Sequence, residues 1–380
     1  MPHTSADFAT LIADNDVHTV EIVTVDTYGH HRGKRVPAQR FIDTVAAGGA
    51  HIADAIYVMD ITCDIVDSPF INMATGFLDM HIEPDVSTFR LLRHRPGYAT
   101  VMTKAIDHKH EPHPLDPRNI LQAQIDRVTK LGYDPIVATE LECYVCNDDW
   151  SPVQDKVQYS SLVDNLELER CVADMRIALL DLGIPLESSN PEYGPGQLEI
   201  NFSYADPMLT ADNTLLFKTT VKEIARNHGH RATFMPLPYT GQSGNGMHVH
   251  TSLNQNGKNV FSSGDGHLLN DVFRHWVGGL VAHASALTLL GIPTGNGYKR
   301  VRPYSFCPTH VHWGGDNRSV LCRCTVGQGP ANRVEFRGGG ADANPYLLIA
   351  ALLAAGADGL ERQLDPGAQA EGDQYENPGN

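Results

Sequence analysis

Four short segments between residues 139 and 338 carry polar side chains at every second position. They are Glu140-Leu141-Glu142, Gln197-Leu198-Glu199-Ile200-Asn201, His248-Val249-His250 and Arg333-Val334-Glu335-Phe336-Arg337. Because residues i and i+2 of a β-strand point to the same side of a sheet, each segment predicts a strand with one polar face. A single strand of this kind is ordinary in a half-buried sheet, but four in one region indicate a common polar surface.

Acidic side chains dominate this predicted surface. Carboxylates on one face of a sheet repel each other unless a cation compensates their charge. Oxygen ligands together with one imidazole suit Mg²⁺ or Mn²⁺ better than zinc. The four segments, together with Glu192, contain five glutamates and the histidines His248 and His250, and they predict a metal-dependent enzyme.

The N-terminal part of the chain has several strand-like segments, at residues 19–25, 55–60, 87–93 and 98–103. They predict a small β-rich domain. A polar, proline-rich stretch follows at residues 107–117 and is typical of a domain boundary. We interpret its histidines as part of a solvated linker rather than as a metal-binding tract. The predicted domains are therefore residues 1–106 and 107–380.

The rest of the chain mixes helical and strand-like segments. Helices are expected at residues 116–131, 164–182, 210–229, 267–290 and 345–362. Strands are expected at residues 135–145, 195–204, 230–236, 246–254, 309–314, 319–325 and 332–338. Asp116-Pro117 and Asn344-Pro345 are typical helix starts, with a capping side chain before a proline. Strands that look antiparallel, mixed with helices without regular alternation, indicate an α+β fold.

Charge and cysteine content narrow the class of protein. The chain has 29 Lys and Arg residues against 45 Asp and Glu residues, a formal net charge of −16. So acidic a chain is not expected to bind nucleic acid or an anionic membrane surface.

The cysteines and the N-terminus indicate the compartment. Seven cysteines without framework spacing, and an N-terminus without a secretion signal, predict a cytoplasmic protein with reduced thiols. We interpret Cys143 and Cys146 as buried strand cysteines rather than a zinc or redox pair.

Common phosphate-binding loops do not occur in the sequence. The chain has no GxxxxGK[ST] segment, and no GxGxxG segment follows a predicted strand. Four arginines lie in the C-terminal part of the predicted sheet region, at Arg318, Arg323, Arg333 and Arg337. A phosphoryl-transfer site without a P-loop would depend on such arginines together with metal ions.

Several motifs, taken together and in their order, resemble the glutamine synthetase superfamily, and most of all its glutamate–amine ligases. Besides the four polar segments they include Asn190-Pro191-Glu192, Gly297-Tyr298-Lys299-Arg300, Asn317-Arg318-Ser319 and Asn344-Pro345-Tyr346. The resemblance implies a small N-terminal β-grasp domain and a large catalytic domain with a curved antiparallel sheet. It also implies ATP, two to three Mg²⁺ or Mn²⁺ ions, and two stacked rings of subunits, as in a dodecamer.

The resemblance also implies roles for individual residues. One metal ion would bind Glu142, Glu192 and Glu199, and another would bind Glu140, His248 and Glu335. The glutamate substrate would contact Arg300, Gly244 and Glu142. The residues matched to ATP are His250, Ser252, Arg323 and Arg333, and those matched to catalytic groups are Arg318, Arg337 and Asp79.

The implied reaction activates a carboxylate with ATP. A carboxylate is a poor electrophile, but its phosphorylation gives an acyl phosphate with a good leaving group. Metal ions and arginines stabilise the charge on the phosphoryl oxygens. An amine then displaces phosphate, and the product is a γ-glutamyl amide.

The sequence departs from ammonia-using members of the family at two places. Six residues after Arg300, where those members have a glutamate that helps to bind and deprotonate ammonium, this chain has Phe306. The ammonium-binding aspartate of the N-terminal domain also lacks its motif; Asp54 and Asp60 are alternatives, and Asp79 matches a downstream family aspartate. A ring in place of a carboxylate removes a cation partner and offers an apolar wall. The alternative is that Phe306 only packs a loop.

These departures favour an amine that is larger and less polar than ammonia. We therefore expect an ATP-dependent ligase that joins glutamate to a polyamine, alkylamine, ethanolamine or aniline. An apolar amine is slightly favoured because His310, His312 and Trp313 follow Phe306. The alternatives are glutamine synthetase proper, a ligase for another acid, and a non-catalytic structural or regulatory member of the superfamily. The resemblance also implies a C-terminal end shorter than is usual for the family.

Overall fold

The computed structural model describes residues 5–155, 159–163, 166–262, 270–327 and 329–376. The chain divides into two compact units. The first contains residues 1–120 and 177–184, and the second contains residues 121–176 and 185–380. Each unit contains a β-sheet.

The sheet of the first unit has six strands. The elements of this unit are α1 (Ser5–Asp14), β1 (Thr19–Val25), β2 (His31–Pro37), α2 (Ala38–Arg40), α3 (Ala46–Gly48), β3 (Ala50–Ala53), β4 (Asp79–Pro84), β5 (Arg90–Leu91) and β6 (Tyr98–Ile106). The strand order is β2-β1-β6-β4-β3, with β5 paired to β6. Strand β1 runs parallel to β6 and antiparallel to β2.

Alternating apolar residues build the core of this first unit. Val20 and Ile22 of β1 are fully buried, and so are the residues at the same spacing in β4 and β6, namely Met80, Ile82, Ala99 and Val101. Because side chains two apart share a strand face, these pairs point into one core. Phe8 of α1 packs edge-on against Phe41, with their ring centroids 5.9 Å apart.

The second unit is larger. From residue 117 onwards the helices are α4 (Pro117–Lys130), α5 (Leu166–Asp181), α6 (Pro207–Asn227), α7 (Asp271–Ala282), α8 (Ala284–Gly291), α9 (Gly295–Tyr298) and α10 (Pro345–Arg362). The strands are β7 (Asp134–Asn147), β8 (Leu186–Pro191), β9 (Gln197–Phe202), β10 (His230–Thr233), β11 (Met247–Gln255), β12 (Lys258–Asn259), β13 (Trp313–Gly315), β14 (Cys322–Thr325) and β15 (Arg333–Phe336). Helices α4 and α5 contain residues of both units.

The nine strands of the second unit form one sheet in the order β13-β14-β15-β11-β7-β9-β8, with β10 paired to β7 and β12 paired to β11. All the pairs are antiparallel except β13 with β14. The four polar segments of the sequence lie on four strands that are neighbours in this sheet, in the order β15, β11, β7 and β9. The expected mixture of helices and antiparallel strands is therefore confirmed.

Two helices approach each other closely because glycines lie where they meet. A Cβ atom on Gly279 of α7 would lie 2.0 Å from the Ala355 carbonyl oxygen of α10, and one on Gly359 would lie 2.1 Å from the His275 carbonyl oxygen. Trp276 of α7 is fully buried, and its indole N–H donates to Thr251 of β11 at 2.9 Å. This contact fixes the helix pair to the strand that carries the two histidines.

Both predicted proline helix starts are confirmed. Helix α4 begins at Pro117, and buried Asp116 accepts a hydrogen bond from the Arg118 N–H. Helix α10 begins at Pro345, where the Asn344 side chain accepts from two backbone N–H groups. Cys143 and Cys146 are buried in β7, as predicted. Of the described helices, none combines the length and the apolar composition that crossing a membrane requires.

Some element predictions are wrong. The segment 55–60 is not a strand, because residues Asp54–Val58 form a 3-10 helix; its short apolar run does not distinguish the two structures. The predicted helix 267–290 is interrupted at His283, between α7 and α8, and its first three residues lie outside the described part of the chain. Residues 164 and 165, predicted to begin a helix, also lie outside it. Strands β2, β3, β4, β8 and β12 were not expected; in β4 the alternation of Met80 and Ile82 was an available signal.

Candidate active site

Glu140, His248 and Glu335 come together on three neighbouring strands. Glu140 of β7 lies directly opposite His248 of β11, and their Oε1 and Nδ1 atoms are 2.9 Å apart. Glu335 of β15 reaches the same imidazole nitrogen at 3.3 Å. The ligand atoms of these three residues lie within 4.8 Å of one another, and no other group of His, Cys, Asp and Glu in the described ranges meets that spacing.

Positive groups surround this first cluster. Glu335 is 1% exposed and accepts hydrogen bonds from Arg323 at 2.7 Å and from Arg337. Burial opposes ionisation of Glu335, but His248 and the Arg337 guanidinium outweigh it and hold its pKa at about 2. Burial likewise opposes ionisation of Glu140, and the hydrogen bonds from His248 and His250 lower its pKa well below the usual range. The protein itself therefore compensates the charge of these two carboxylates.

Glu142, Glu192 and Glu199 form a second cluster on the other side of β7. Glu142 lies directly opposite Glu199 of β9. Glu192 follows β8, and its carboxylate accepts a hydrogen bond from Asn190 at 3.0 Å. Glu142 accepts one from the Gly246 N–H at 2.7 Å. Their ligand atoms are less tightly gathered than those of the first cluster.

Among the described residues, no comparable set of cations surrounds the second cluster. Burial, and then repulsion by Glu192, raises the pKa of Glu142 to about 7. Burial, and then repulsion by Glu140 and Glu142, raises the pKa of Glu199 to about 9. Burial also raises the pKa of Glu192 to about 6. Three carboxylates whose ionisation is opposed in this way fit a bound divalent cation, which would supply the missing positive charge.

Arg300 lies beside this second cluster. It is 3% exposed, its Nη2 donates to the Gly339 carbonyl oxygen at 2.7 Å, and its buried Nη1 has no hydrogen-bond partner within the described segments. A Cβ atom on Gly244 would lie 2.6 Å from Arg300 Cγ, so only glycine fits there. A buried guanidinium with a free donor is suited to a carboxylate ligand.

A cavity of about 430 Å³ opens along β7, β11 and β15. Its lining includes three residues matched to ATP, His250, Ser252 and Arg333, together with Glu140 of the first cluster. Arg333 donates to the His250 imidazole at 3.3 Å. The cavity is therefore lined both by Glu140, a metal-ligand candidate, and by the aromatic residues Phe202 and Tyr204.

The remaining arginines differ in their surroundings. Arg323 does not line the cavity and instead bridges Glu335 and Asp316. Arg337 is buried between Glu335 and the Phe306 carbonyl oxygen, to which Nη2 donates at 3.2 Å. Arg318 is exposed in the turn after β13. The structure thus gathers Arg323 and Arg337 at the first cluster and leaves Arg318 at the surface.

Two further predicted residues lie at exposed positions. Phe306 is 49% exposed in the loop after α9, and its φ of 58° is unusual for a residue other than glycine. Asp79 is exposed at the start of β4 in the first unit, where it pairs with Ala53. Sequence reasoning missed Tyr193, whose ring stacks on that of Phe306 at a centroid distance of 5.6 Å. Its position immediately after Glu192 was the available signal.

Comparisons with known proteins identify the family of this chain. The family model described as glutamine synthetase, catalytic domain, matches residues 114–380. A glutamate–isopropylamine ligase of a Pseudomonas species is 35% identical over 93% of this chain and 80% of the relative. The γ-glutamylethanolamide synthetase GlnA4 of Streptomyces coelicolor is 34% identical over 96% and 81%. A glutamine synthetase of Thermus thermophilus is 33% identical over 96% and 82%.

Solved structures agree with the sequence relatives. A GmaS/ADP complex superposes with a TM-score of 0.86 at 30% identity, covering 97% of this chain and 84% of that one. GmaS without ligand gives the same TM-score at 31% identity, covering 99% and 85%. The sheet presents buried carboxylates, a histidine and arginines, of which Glu140, His248 and Glu335 could hold a metal ion, and the chain belongs to the glutamine synthetase family. It is a carbon–nitrogen ligase of the branch that includes glutamate–amine ligases.

Proposed function

We propose that the protein joins the γ-carboxylate of glutamate to an organic amine, at the expense of ATP. A γ-carboxylate oxygen attacks the γ-phosphorus of ATP, the bond to the bridging oxygen breaks, and ADP leaves. The amine nitrogen then attacks the γ-carbonyl carbon, phosphate leaves with the bonding electron pair, and the nitrogen loses one proton to solvent. The products are a γ-glutamyl amide, ADP and phosphate.

The observation that carries this proposal is the position of buried Arg300 beside the second acidic cluster. Its free Nη1 donor is suited to the α-carboxylate of glutamate, and the backbone at Gly244 is suited to the amino group. Glu142, whose environment includes the positive charge of Arg300, would face the same substrate. A glutamate held at its α-carbon in this way would direct its γ-carboxylate away from Arg300.

Divalent metal ions fit both clusters. Glu140, His248 and Glu335 would hold one ion, and Glu142, Glu192 and Glu199 would hold another; the oxygen-rich donor set suits Mg²⁺ or Mn²⁺. Bound there, the ions would stabilise the negative charge of the phosphoryl group. Hydrogen bonds from Asn190 and Gly246 orient Glu192 and Glu142 before any ion is bound.

The cavity of about 430 Å³ is the proposed nucleotide site. His250, Ser252 and Arg333 line it, so they would contact ATP. Arg323, which forms an ion pair with Glu335, would contact the phosphates of ATP. Arg337 and Arg318 are the proposed partners of the transferring phosphoryl group. Asp79 is proposed to act in the same catalytic step.

The amine is proposed to be organic because of the loop that carries Phe306. This residue offers a half-exposed ring, and the loop residues 304–308 contain no carboxylate that would attract ammonium. The names of two relatives, a glutamate–isopropylamine ligase and a γ-glutamylethanolamide synthetase, support the same choice. Ammonia is the alternative substrate, because one of the relatives is a glutamine synthetase.

The proposal includes the organisation of the chain. Residues 1–106 would form a β-grasp domain, which is supported by β1 running parallel to β6 in a mixed sheet. Residues 107–380 would form the catalytic domain. Assembly into two stacked rings, a dodecamer, is part of the proposal and would be measured by light scattering.

An amine panel tests the function. Phosphate release is measured with ATP, glutamate and Mg²⁺, and with each of ammonia, isopropylamine, ethanolamine, putrescine and aniline. We expect at least one organic amine to exceed ammonia in kcat/KM, and no phosphate release without glutamate. If ammonia exceeds every organic amine, the protein is a glutamine synthetase.

A further inference from the structure

Three aromatic rings form a continuous stack next to the second acidic cluster. Tyr193 contacts both other members. Its ring lies 4.5 Å from that of Tyr159, at an interplanar angle of 20°, and 5.6 Å from that of Phe306, at 29°. The three side chains are 53%, 43% and 49% exposed in the order Tyr159, Tyr193 and Phe306. The stack therefore presents apolar ring surface to solvent.

Both the backbone and the side chains tie this stack to the acidic cluster. Tyr193 directly follows Glu192, and its N–H donates to the Glu192 carboxylate. The Ser160 N–H donates to the Pro191 carbonyl oxygen at 3.0 Å, which fixes the segment that carries Tyr159. The rings are thus held beside the charged site, and not on an independent loop.

Phe306 is held in place from the other side. Arg337 connects it to the first cluster, because one guanidinium nitrogen donates to the Phe306 carbonyl oxygen and another to Glu335. Phe306 and Tyr304 both have positive φ values, 58° and 60°. Such a conformation is unfavourable for a residue with a side chain, and it persists only where the surrounding contacts enforce it. The fold therefore holds the Phe306 ring against Tyr193.

We infer that the Tyr159–Tyr193–Phe306 stack is the specificity wall for the amine, and that the preferred substrate is a primary amine with an apolar substituent. This inference rests on the proposed function. The ammonium form of this amine would be attracted by the carboxylates next to Tyr193 and would lose one proton before its nitrogen attacks, while the hydrocarbon part lies on the ring surface. Apolar contact with aromatic rings favours such an amine, and a ring also attracts a cation placed over its face.

The stack disfavours polar and doubly charged amines. None of the three ring-bearing residues carries an acidic group that would bind the second ammonium of putrescine. The hydroxyl of ethanolamine would lose hydration against the ring of Phe306, which carries no polar group that could replace the lost water. Branched alkylamines and arylalkylamines, such as isopropylamine and benzylamine, satisfy both requirements.

The test compares ratios of kcat/KM between amines in Tyr193→Ala, Tyr193→Phe and the wild type. In Tyr193→Ala the ratio of benzylamine, or isopropylamine, to ammonia should fall about tenfold, the factor expected when a hydrophobic pocket loses one contact. Tyr193→Phe keeps the ring and should keep the ratio. Leu289→Ala, which truncates an exposed apolar side chain on α8, is the matched control and should also keep it.

Hydroxylamine separates the two levels of the proposal. It reacts with an acyl phosphate whatever the amine specificity, so γ-glutamyl hydroxamate formation from ATP and glutamate reports the proposed function alone. No hydroxamate from the wild type would refute that function. Hydroxamate formation combined with an unchanged ratio in Tyr193→Ala, or a wild-type preference for putrescine or ethanolamine, would overturn only the specificity wall.

A second variant protects the test from a folding failure. Tyr159→Ala removes the most exposed of the three rings and leaves the residue next to Glu192 intact. It should lower the same ratio in the same direction, by less than Tyr193→Ala. Equal losses for all amines in both variants would indicate a structural role and would overturn the inference.

Discussion

The two acidic clusters occupy the same sheet but differ in how their charge is compensated. Glu140 and Glu335 are surrounded by His248, Arg323 and Arg337, and the pKa of Glu335 is held at about 2. In the cluster of Glu142, Glu192 and Glu199 the pKa values are raised instead. The protein itself compensates the charge of the first cluster, whereas a bound cation would compensate the charge of the second.

This difference gives the clusters different tasks. Glu335 is tied to two arginines that would also meet a phosphoryl group, so an ion in the first cluster would share its ligands with the nucleotide. Glu142 is influenced by Arg300, so an ion in the second cluster would be close to glutamate. Metal affinity and substrate affinity should therefore be coupled differently in the two clusters.

The largest effect is expected for Glu335→Ala. The change removes a metal-ligand candidate and the carboxylate that accepts hydrogen bonds from Arg323 and from buried Arg337. Turnover should fall by at least about a hundredfold, because charge stabilisation at the phosphoryl group is lost. The free energy of unfolding should also fall, by roughly 3–5 kcal/mol, because a buried ion-pair network is broken.

Steady-state kinetics measures the loss of turnover, and urea unfolding measures the loss of stability. Glu361→Gln, on the exposed end of α10, is the control. Full activity in Glu335→Ala would contradict the metal assignment.

The second prediction concerns the pH dependence of stability in metal-free protein. Glu142, Glu192 and Glu199 keep protons in the folded protein up to about pH 7, 6 and 9, whereas the unfolded chain releases them near the usual carboxylate pKa. Folded protein therefore binds more protons, and its stability should fall as the pH rises from 5 to 9, by on the order of a few kcal/mol. Glu335 gives the opposite slope, with stability lost as the pH falls towards 2.

Saturating Mg²⁺ should flatten the slope between pH 5 and 9, because the ion compensates the ionised second cluster. Urea unfolding in EDTA and in Mg²⁺, at several pH values, measures both conditions. A slope that is the same with and without Mg²⁺ would contradict the difference between the clusters.

A third prediction compares one glutamate from each cluster in metal-free protein. Glu199→Gln should raise the free energy of unfolding by about 1–2 kcal/mol, because the neutral amide removes the cost of keeping a proton on this buried carboxyl group above its usual pKa. Glu140→Gln should lower it by a similar amount, because His248 and His250 lose a charged acceptor. Thermal unfolding in EDTA measures both variants, which serve as matched controls for each other. If both variants changed the free energy of unfolding in the same direction, the proposed difference between the two clusters would be wrong.

The smallest effect is expected at the loop next to the second cluster. Phe306→Glu adds a carboxylate that attracts ammonium and removes one ring of the stack. The ratio of kcat/KM for ammonia to that for isopropylamine should rise about tenfold. Phe306→Leu, which stays apolar, should not raise it to the same extent. An unchanged preference in Phe306→Glu would leave the amine site elsewhere.

Most strands of the second unit were predictable, because polar residues alternate with buried ones in the segments that carry the candidate site. Glu140-Leu141-Glu142 and His248-Val249-His250 show this pattern clearly, and both segments lie on the strands where they were expected. Register was not predictable: only the fold shows that Glu140 faces His248 while Glu142 faces Glu199. Two glutamates that are two residues apart on β7 thus belong to different clusters. From the sequence alone, this division follows only from the resemblance to the family.

The first unit was less predictable. Its segment 55–60 is apolar enough for a strand, yet Ile56 and Tyr57 are neighbours that are both buried, which an amphipathic strand does not allow. The aromatic stack was also missed, because Tyr159, Tyr193 and Phe306 belong to connections whose periodicity carries no signal. Loop residues meet through the tertiary fold, and their contacts require the backbone path.

One measurement tests the central claim most directly. Glutamate labelled with ¹⁸O in the γ-carboxylate is incubated with the protein, ATP, Mg²⁺ and equal concentrations of ammonia and isopropylamine, and the products are identified by mass spectrometry. We predict phosphate with one ¹⁸O atom, because the carboxylate oxygen leaves with it, and γ-glutamylisopropylamide as the main amide. Unlabelled phosphate, or glutamine as the main product, would contradict the account.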